Sequence, residues 1–421
     1  MKLRPGMLRA ALAVAAVAVL LGGPAAVATG RFGADGHTTW VPVAGPAGAA
    51  APGGDAADPA AAWATEAIAA AAGVQAEAVN RGDATAFLAA VDTPLQAPMR
   101  RRFEALRAIR ATNYTAQLEK APVLEAGGWR ATVELSFCAG APGCGAAPVR
   151  VPTLWAVNGE GARLVEWGSS THYGPRPWEV SELRAAIGNR VVVAASPRYA
   201  SRLQATLQAA ERAAEKADRY ARWRPAPARY VVYLAGAEEW STWYGVKQPA
   251  WAAGYAMPIT PDHTEIVLNA SRIDGGEAFN TLTHEFSHVS TLSGVRRNYT
   301  DSWLLVEGMA EYVTHVGRSA ATYPWLSGTR RYVASGGWPG TAALAAPAET
   351  ASVGDATGRY GVAYFAMRRL AERFGEEKLL AFFAAVARDG RQPDQVSPEI
   401  FGVAWAEAAA DCDRYIRSVA G

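Results

Sequence analysis

The chain has 421 residues, half of them hydrophobic, so it is long enough to bury a sizeable core and to form two or three domains. Its 41 basic and 39 acidic residues give a formal net charge of +2 at pH 7 and form no basic block. Because a nucleic-acid-binding surface needs clustered positive charge, this composition indicates no nucleic-acid partner.

The N-terminal segment predicts export. Its basic residues are Lys2, Arg4 and Arg9. An uncharged apolar run follows and ends in the small residues Ala26-Val27-Ala28. This pattern is typical of a signal peptide over 1–28 and predicts a secreted or cell-envelope protein, with an uncleaved membrane anchor as the alternative. Residues 29–58 are rich in Gly, Ala and Pro and predict a linker.

Residues 59–174 predict a first α+β domain. Helical patterns precede strand-like runs, with helices at 61–80, 83–91 and 99–109 and strands at 115–120, 129–138, 149–158 and 162–167. The segment 76–87 resembles the opening of nuclear-transport-factor-two-like domains, which have a cone-shaped α+β fold. No acid–base pair accompanies it, so we expect a structural or interaction role.

Two cysteines flank a turn-rich loop between strand-like runs, Cys138 and Cys144. We expect a disulfide between them in the oxidising compartment that the signal predicts, with a zinc-binding pair as the alternative. Cys412 stands alone and is expected to be a buried small residue rather than a nucleophile.

Residues 178–421 predict a second domain after the Gly/Pro stretch at 174–177. Strand-like runs at 180–187, 190–194, 228–234 and 265–269 and a long helix at 198–222 come before a mainly helical half. The chain as a whole is therefore predicted to be α+β.

The most informative pattern is His284-Glu285-Phe286-Ser287-His288, followed after 18 residues by Glu307. No Pro or Gly interrupts 277–293, so a helix can run through the motif and place both histidines on one face. Two imidazoles and a carboxylate suit Zn²⁺, and three protein ligands leave an open position, as in catalytic sites. The spacing predicts one zinc ion; the alternative is a solvated helix face with a fortuitous histidine pair.

A second helix is predicted at 303–313, with Glu307 and Glu311 one turn apart. The motif, the 18-residue gap and the sequence Glu307-Gly308-x-Ala310-Glu311-Tyr312 together resemble the gluzincin metallopeptidases, most closely the peptidase MA-like domains of bacterial envelope proteins. The resemblance implies a gluzincin-type domain in which His284, His288 and Glu307 bind zinc. It also implies that Glu285 is the general base and that Glu311 accepts a hydrogen bond from a ligand histidine.

A further helix is predicted from 358 to 374, with Tyr360 near its beginning and Tyr364 one turn later. In the aminopeptidase N branch of this family, a tyrosine at a comparable place donates a hydrogen bond to the developing oxyanion. The resemblance assigns this catalytic role to Tyr360, with Tyr364 as the second choice. Core packing of both rings is the alternative.

The aminopeptidases carry a G-x-M-E-N strand whose glutamate binds the free amino terminus of the substrate. The corresponding segment, 252–258, contains no acidic residue. Its backbone at Gly254 and Tyr255 could still bind an extended peptide as an added strand. We therefore expect cleavage within a peptide or protein substrate rather than at its amino terminus.

The expected activity is peptide-bond hydrolysis by a metal-activated water. A metallo-aminopeptidase and a non-catalytic envelope protein that holds zinc are the alternatives. His315, one turn after Glu311, is expected to be a surface histidine, with support of the metal-binding histidines from outside as the alternative. The 14 tryptophans are dispersed and are expected to pack the core, with a position beside a substrate cleft as the alternative for Trp240, Trp243 and Trp251.

Overall fold

The computed structural model describes residues 59–140, 142, 144, 147–245, 248–249, 251–273, 277–296 and 302–421. The signal peptide and linker predicted for 1–58 lie outside the described residues. Within the described part, no helix combines the length and the apolar character that crossing a membrane requires.

The first part of the chain packs helices against an antiparallel sheet. The helices are α1 (Pro59–Arg81), α2 (Ala84–Ala89) and α3 (Gln96–Ala108). The strands are β1 (Ala111–Leu118), β2 (Val123–Glu125), β3 (Gly128–Ala139), β4 (Val149–Asn158) and β5 (Gly161–Trp167). They lie in the order β1-β3-β4-β5, with β2 paired to β3. Side chains along most of β3 alternate between buried and half-buried, as expected for a strand with one face on the core.

A second, mixed sheet follows. Its strands are β6 (Arg184–Ile187), β7 (Val191–Ala195), β8 (Tyr230–Ala235), β9 (Gly254–Thr260) and β10 (His263–Asn269), in the order β6-β7-β8-β10-β9. Strands β7, β8 and β10 are parallel, and β6 and β9 are antiparallel edge strands. Every residue of β7 and β8 is buried, because both faces of the parallel centre are covered.

Three short or medium helices accompany this sheet, α4 (Pro177–Val180), α5 (Leu203–Asp218) and α6 (Ala237–Thr242). The strand expected at 180–187 begins only at Arg184, because the backbone N–H of Arg176 donates to the Glu179 side chain and caps α4 instead. The long helix expected at 198–222 is shorter, with a 3₁₀ segment at Pro197–Arg202 before α5.

The rest of the chain is helical. It comprises α7 (Glu277–Leu292), α8 (Trp303–His315), α9 (Leu326–Ala334), α10 (Val353–Phe374), α11 (Glu376–Phe383), a π-helical turn (Ala384–Arg388), α12 (Pro393–Phe401) and α13 (Trp405–Ala420). α10 packs against α8, α9, α11 and α13. The predicted α+β class, with a sheet domain first and a mixed sheet with a mainly helical part after it, is confirmed.

The two faces of the second sheet have different neighbours. Val193, Val232 and Leu268 point towards α5 and α7 and share a core with them. Val192, Val231 and other side chains that alternate with these belong to a core shared with the first domain. The first domain therefore covers the face of the sheet opposite to the helix that carries the histidine motif.

The cysteines take two different states. Cys138, near the end of β3, forms a disulfide with Cys144. Cys412 is buried in α13, and its Sγ lies near the backbone oxygen of Ala366. Burial raises the pKa of the Cys412 thiol to about 12, which makes it unreactive at neutral pH.

Charged side chains are buried where the first domain meets the second sheet. Arg176 Nη1 lies 3.5 Å from Glu265 Oε2. The Tyr244 hydroxyl donates to the same carboxylate at 2.6 Å. A second buried pair joins Arg102 of α3 to Glu179 of α4 at 3.9 Å. Breaking one such pair leaves a buried carboxylate without its arginine, which costs several kcal/mol.

We predict that Arg176→Met lowers the free energy of unfolding by about 3–5 kcal/mol, because Glu265 then stays buried with only the Tyr244 hydroxyl and His263 Nε2, 3.4 Å away, beside it. Urea unfolding measures this loss. Arg184→Met is the matched control, since its ion pair with Glu182 is exposed on both sides and should contribute less than about 1 kcal/mol. Equal, small effects of the two substitutions would show that the buried pair does not hold the junction.

Candidate metal centre

Two neighbouring helices bring the three expected ligands together. α7 supplies His284 and His288 from one face, and α8 supplies Glu307. His284 Nε2 lies 3.1 Å from His288 Nε2 and 3.1 Å from Glu307 Oε2. His288 Nε2 lies 3.5 Å from the same carboxylate oxygen. All three side chains are buried, and they form a potential metal site.

These separations fit a zinc ion. With zinc–ligand bonds of about 2.0–2.1 Å, the ligand atoms of a tetrahedral site lie about 3.3 Å apart. The observed spacings of 3.1 to 3.5 Å bracket that value. Two imidazole nitrogens and one carboxylate oxygen are also a donor set that zinc prefers. The residues present therefore fit the metal that the sequence predicts.

The charges of the cluster also favour a bound cation. Burial opposes a charged imidazole, but hydrogen bonds with Glu307 and Glu311 outweigh it and raise the pKa of His284 to about 10. Burial also works against the ionised Glu307, yet the neighbouring His288 and His284 hold the pKa of its carboxyl below the ordinary value. The buried carboxylates thus require positive charge beside them, which a proton or a divalent metal ion can supply.

Glu311 holds His284 from the side away from Glu307. Its Oε1 lies 2.7 Å from His284 Nδ1. A carboxylate can only accept here, so Nδ1 carries the proton and Nε2 is left to bind a metal ion. The structure places Glu311 where the resemblance puts it, and its influence on metal binding stays a prediction.

His315 is not at the surface, so this sequence-based expectation is wrong. Its side chain is buried, with Nε2 3.6 Å from Glu311 Oε2. Burial lowers the pKa of His315 to about 4, so its imidazole is neutral near pH 7. The error arises because α8 is buried on all sides, and a helix enclosed in this way gives no polar stripe that a sequence pattern can reveal.

Glu285 lies beside the three metal-binding side chains, and its carboxylate is buried. Neither of its carboxylate oxygens has a hydrogen-bond partner among the described residues. Burial raises the pKa of Glu285 to about 8. A buried acid without partners is costly for stability, and such groups are concentrated at functional sites.

Strand β9 passes directly over this acid. A Cβ atom at Gly254 would lie 2.9 Å from Glu285 Oε1 and 3.0 Å from the Leu268 side chain. Only glycine leaves the carboxylate its present position. Because β9 is the last strand of its sheet, its outer edge has no strand partner among the described residues.

Tyr255, the other residue expected to bind substrate, has its side chain on the face of β9 away from the metal centre. The Tyr255 side chain belongs to the core shared with the first domain, and its ring packs edge-on against Trp240 at 5.2 Å. Any contact of Tyr255 with a substrate would therefore involve its backbone. Trp243 belongs to the same core, whereas Trp251 lies near the metal centre.

Tyr360 stands close to the ligands. Its ring centroid lies 5.9 Å from that of His284. Three indole rings surround it, those of Trp251, Trp303 and Trp325, with centroids 5.2 to 6.3 Å away. Tyr364 is more remote, since its hydroxyl accepts a hydrogen bond from Arg368 and its ring stacks on Tyr323. The proximity of Tyr360 to the site agrees with the role that the resemblance implies, which stays a prediction.

The metal-binding side chains and Glu285 are buried, and two small cavities lie nearby. A cavity of about 40 Å³ adjoins Glu311, and another of about 30 Å³ adjoins His288. Each has room for a water molecule but not for an amino-acid side chain. Sequence reasoning missed Trp303, Trp325 and Tyr323 as neighbours of the centre, because they come from segments that only the packing of α8, α9 and α10 brings together.

Comparisons with known proteins give a distant likeness. No protein-family model and no curated protein matches the chain. An M1 zinc metallopeptidase from Deinococcus radiodurans is similar, at 14% identity and a TM-score of 0.33 over 72% of this chain and 60% of that one. A mutant M1 zinc metallopeptidase from the same organism, bound to a Tyr-Ser-Ala substrate, is 13% identical, with a TM-score of 0.31 over 72% of this chain and 61% of that one.

A two-domain M1 zinc metallopeptidase mutant bound to L-arginine is similar to the same degree, at 14% identity and a TM-score of 0.32 over 73% of this chain and 61% of that one. The chain thus spans about three-fifths of the length of these structures. With TM-scores this low, the similarity does not indicate the activity of this chain.

We predict that the purified protein binds about one zinc ion per chain and that His288→Ala removes it, because two remaining ligands hold zinc poorly. Metal analysis after gel filtration measures the zinc content. His172→Ala, which removes an exposed histidine in the first domain, should keep the wild-type content. Equal zinc in both variants would contradict the assignment of His288 as a ligand.

Proposed function

We propose that the protein is a zinc-dependent peptidase that is exported, as its first 28 residues predict, and that cleaves within peptide or protein chains. The observation that carries the proposal is the unpaired, buried Glu285 beside the three metal-binding side chains. A site that served only to hold the fold together would gain nothing from an acid without partners, whereas hydrolysis needs a base at that place.

When bound, zinc would polarise the scissile carbonyl and make a water molecule more acidic. The carboxylate of Glu285 would take a proton from the attacking water and pass it to the leaving amine. The Tyr360 hydroxyl would donate a hydrogen bond to the oxygen on which negative charge develops. The packed indoles around Tyr360 exclude bulk water, which strengthens each of these interactions.

The free edge of β9 supports binding of an extended peptide as an additional strand. β9 contains no acidic residue, so it offers no carboxylate for a free amino terminus. These two features support cleavage within a chain. Since the present cavities admit only water, we expect the covering side chains to move when a substrate binds.

The small size of these cavities favours a second candidate, a non-catalytic envelope protein that holds zinc and binds a partner elsewhere. Zinc content does not separate the two candidates, but turnover does. A library of peptides, with cut sites mapped by mass spectrometry, tests for hydrolysis and also distinguishes internal cleavage from removal of amino-terminal residues.

We predict that Glu285→Gln keeps zinc and lowers kcat by about 10²–10⁴-fold, because the amide cannot accept the proton. Peptide hydrolysis and metal content are measured on the same preparation. Glu238→Gln, on the exposed part of α6, is the control and should keep full turnover. Full activity of Glu285→Gln would remove the base from the proposal, and a wild-type protein inactive on every peptide would favour the non-catalytic candidate.

We predict that Tyr360→Phe lowers kcat by about 10²–10³-fold while KM and zinc content change little, because the lost hydrogen bond would form only as the oxyanion develops. Steady-state kinetics measure both constants. Tyr364→Phe is the matched comparison on the same helix and should stay within a few-fold of the wild type. The reverse ranking of the two variants would transfer the oxyanion role to Tyr364.

A further inference from the structure

The carboxylate of Glu311 is fixed at both oxygens. Oε1 accepts the hydrogen bond from His284 Nδ1 at 2.7 Å. Oε2 accepts a hydrogen bond from the Tyr323 hydroxyl at 2.8 Å. His315 Nε2 is the next polar atom, 3.6 Å from Oε2, which is beyond normal hydrogen-bond length. Tyr323 is therefore the close donor that sets the orientation of this carboxylate.

The two histidines of the metal centre are supported unequally. His284 is oriented by Glu311, but His288 Nδ1 has no hydrogen-bond partner among the described residues. Metal-binding histidines usually donate their second ring nitrogen to a carboxylate, a carbonyl or water, and this bond tunes metal affinity. In this protein the tuning by protein groups is concentrated on His284 and its neighbours.

Tyr323 is held rigidly enough to act in this way. It follows a 3₁₀ turn at Ala320–Thr322, in the connection between α8 and α9. Its ring is buried, stacks on Tyr364 at 4.5 Å and meets Phe365 edge-on at 5.3 Å. Burial raises the pKa of Tyr323 well above its ordinary value, so the hydroxyl keeps its proton and remains a donor.

We propose that Tyr323 is a positioning residue of the metal centre: its hydroxyl holds the Glu311 carboxylate so that His284 keeps Nε2 directed at the metal ion. This inference rests on the metal site of the proposed function but not on peptidase activity. It connects a segment outside the histidine motif and its glutamate to the affinity for zinc.

The test is the zinc affinity of Tyr323→Phe, measured by competition with a chromophoric chelator. Removing the hydroxyl frees Oε2 and loosens the hold on His284, so we expect zinc to bind about tenfold more weakly, at the lower end of the effects of such outer partners. With Co²⁺ in place of zinc, the visible absorption bands should also shift, because they report ligand geometry.

Tyr312→Phe is the matched control. Tyr312 lies on α8, as Glu307 does, and its hydroxyl also donates to a carboxylate, Glu376 Oε1, at 3.0 Å. That carboxylate keeps a second donor, Tyr220, at 2.8 Å. The control removes an equivalent buried phenol without touching Glu311, so its zinc affinity and cobalt spectrum should match the wild type.

A double-mutant cycle with Glu311→Gln shows whether Tyr323 acts through Glu311. We expect Tyr323→Phe to have little further effect in that background. Unchanged zinc affinity of Tyr323→Phe, or an equal loss with and without Glu311, would overturn the inference. A protein that binds zinc but cleaves no peptide would overturn the proposed activity, while the weaker binding of Tyr323→Phe would still support the inference.

Discussion

The constraint on which the rest of this structure depends is the burial of three carboxylates between α7 and α8. Glu285, Glu307 and Glu311 are each almost completely shielded from water. Anionic groups in such a place must be neutralised or paired, and the two histidines of α7 are the nearest groups able to do so. The same imidazoles can bind a metal ion, so the groups that balance the buried negative charge are also the groups that would bind the metal.

Two glycines allow the helices and the strand around this cluster to approach closely. A Cβ atom at Gly308 would lie 2.8 Å from the backbone oxygen of Ala363, so α8 and α10 touch where Glu307 is presented. Gly254 lets β9 lie over Glu285 in the same manner. The first domain covers the opposite face of the sheet. Two buried ion pairs lie where the first domain meets the sheet.

The hydrogen bonds around the metal centre are distributed unequally, and its two sides suit different roles. On one side, His284 is held by a chain of hydrogen bonds that passes through Glu311 to Tyr323. On the other side, Glu285 makes no hydrogen bond to the described residues and lies beneath β9, whose outer edge has no strand partner among those residues. The first side suits fixed ligand geometry, and the second suits a group that must exchange a proton. Tyr360, packed among three indole rings, lies beside His284.

The sequence by itself determined the α+β class, most of the helices and strands, and the grouping of His284, His288 and Glu307. The elements and the His284–His288 pair follow from local periodicity, since an i, i+4 pair lies on one face of any helix. Glu307 joined that pair through the resemblance of the 18-residue gap to a known zinc motif. Only the tertiary structure decided that His315 is buried, that Tyr255 points away from the centre, and that Tyr323 reaches Glu311. These depend on which distant segments pack around α8 and on which face of β9 meets α7, and no short-range pattern encodes contacts between segments far apart in the chain.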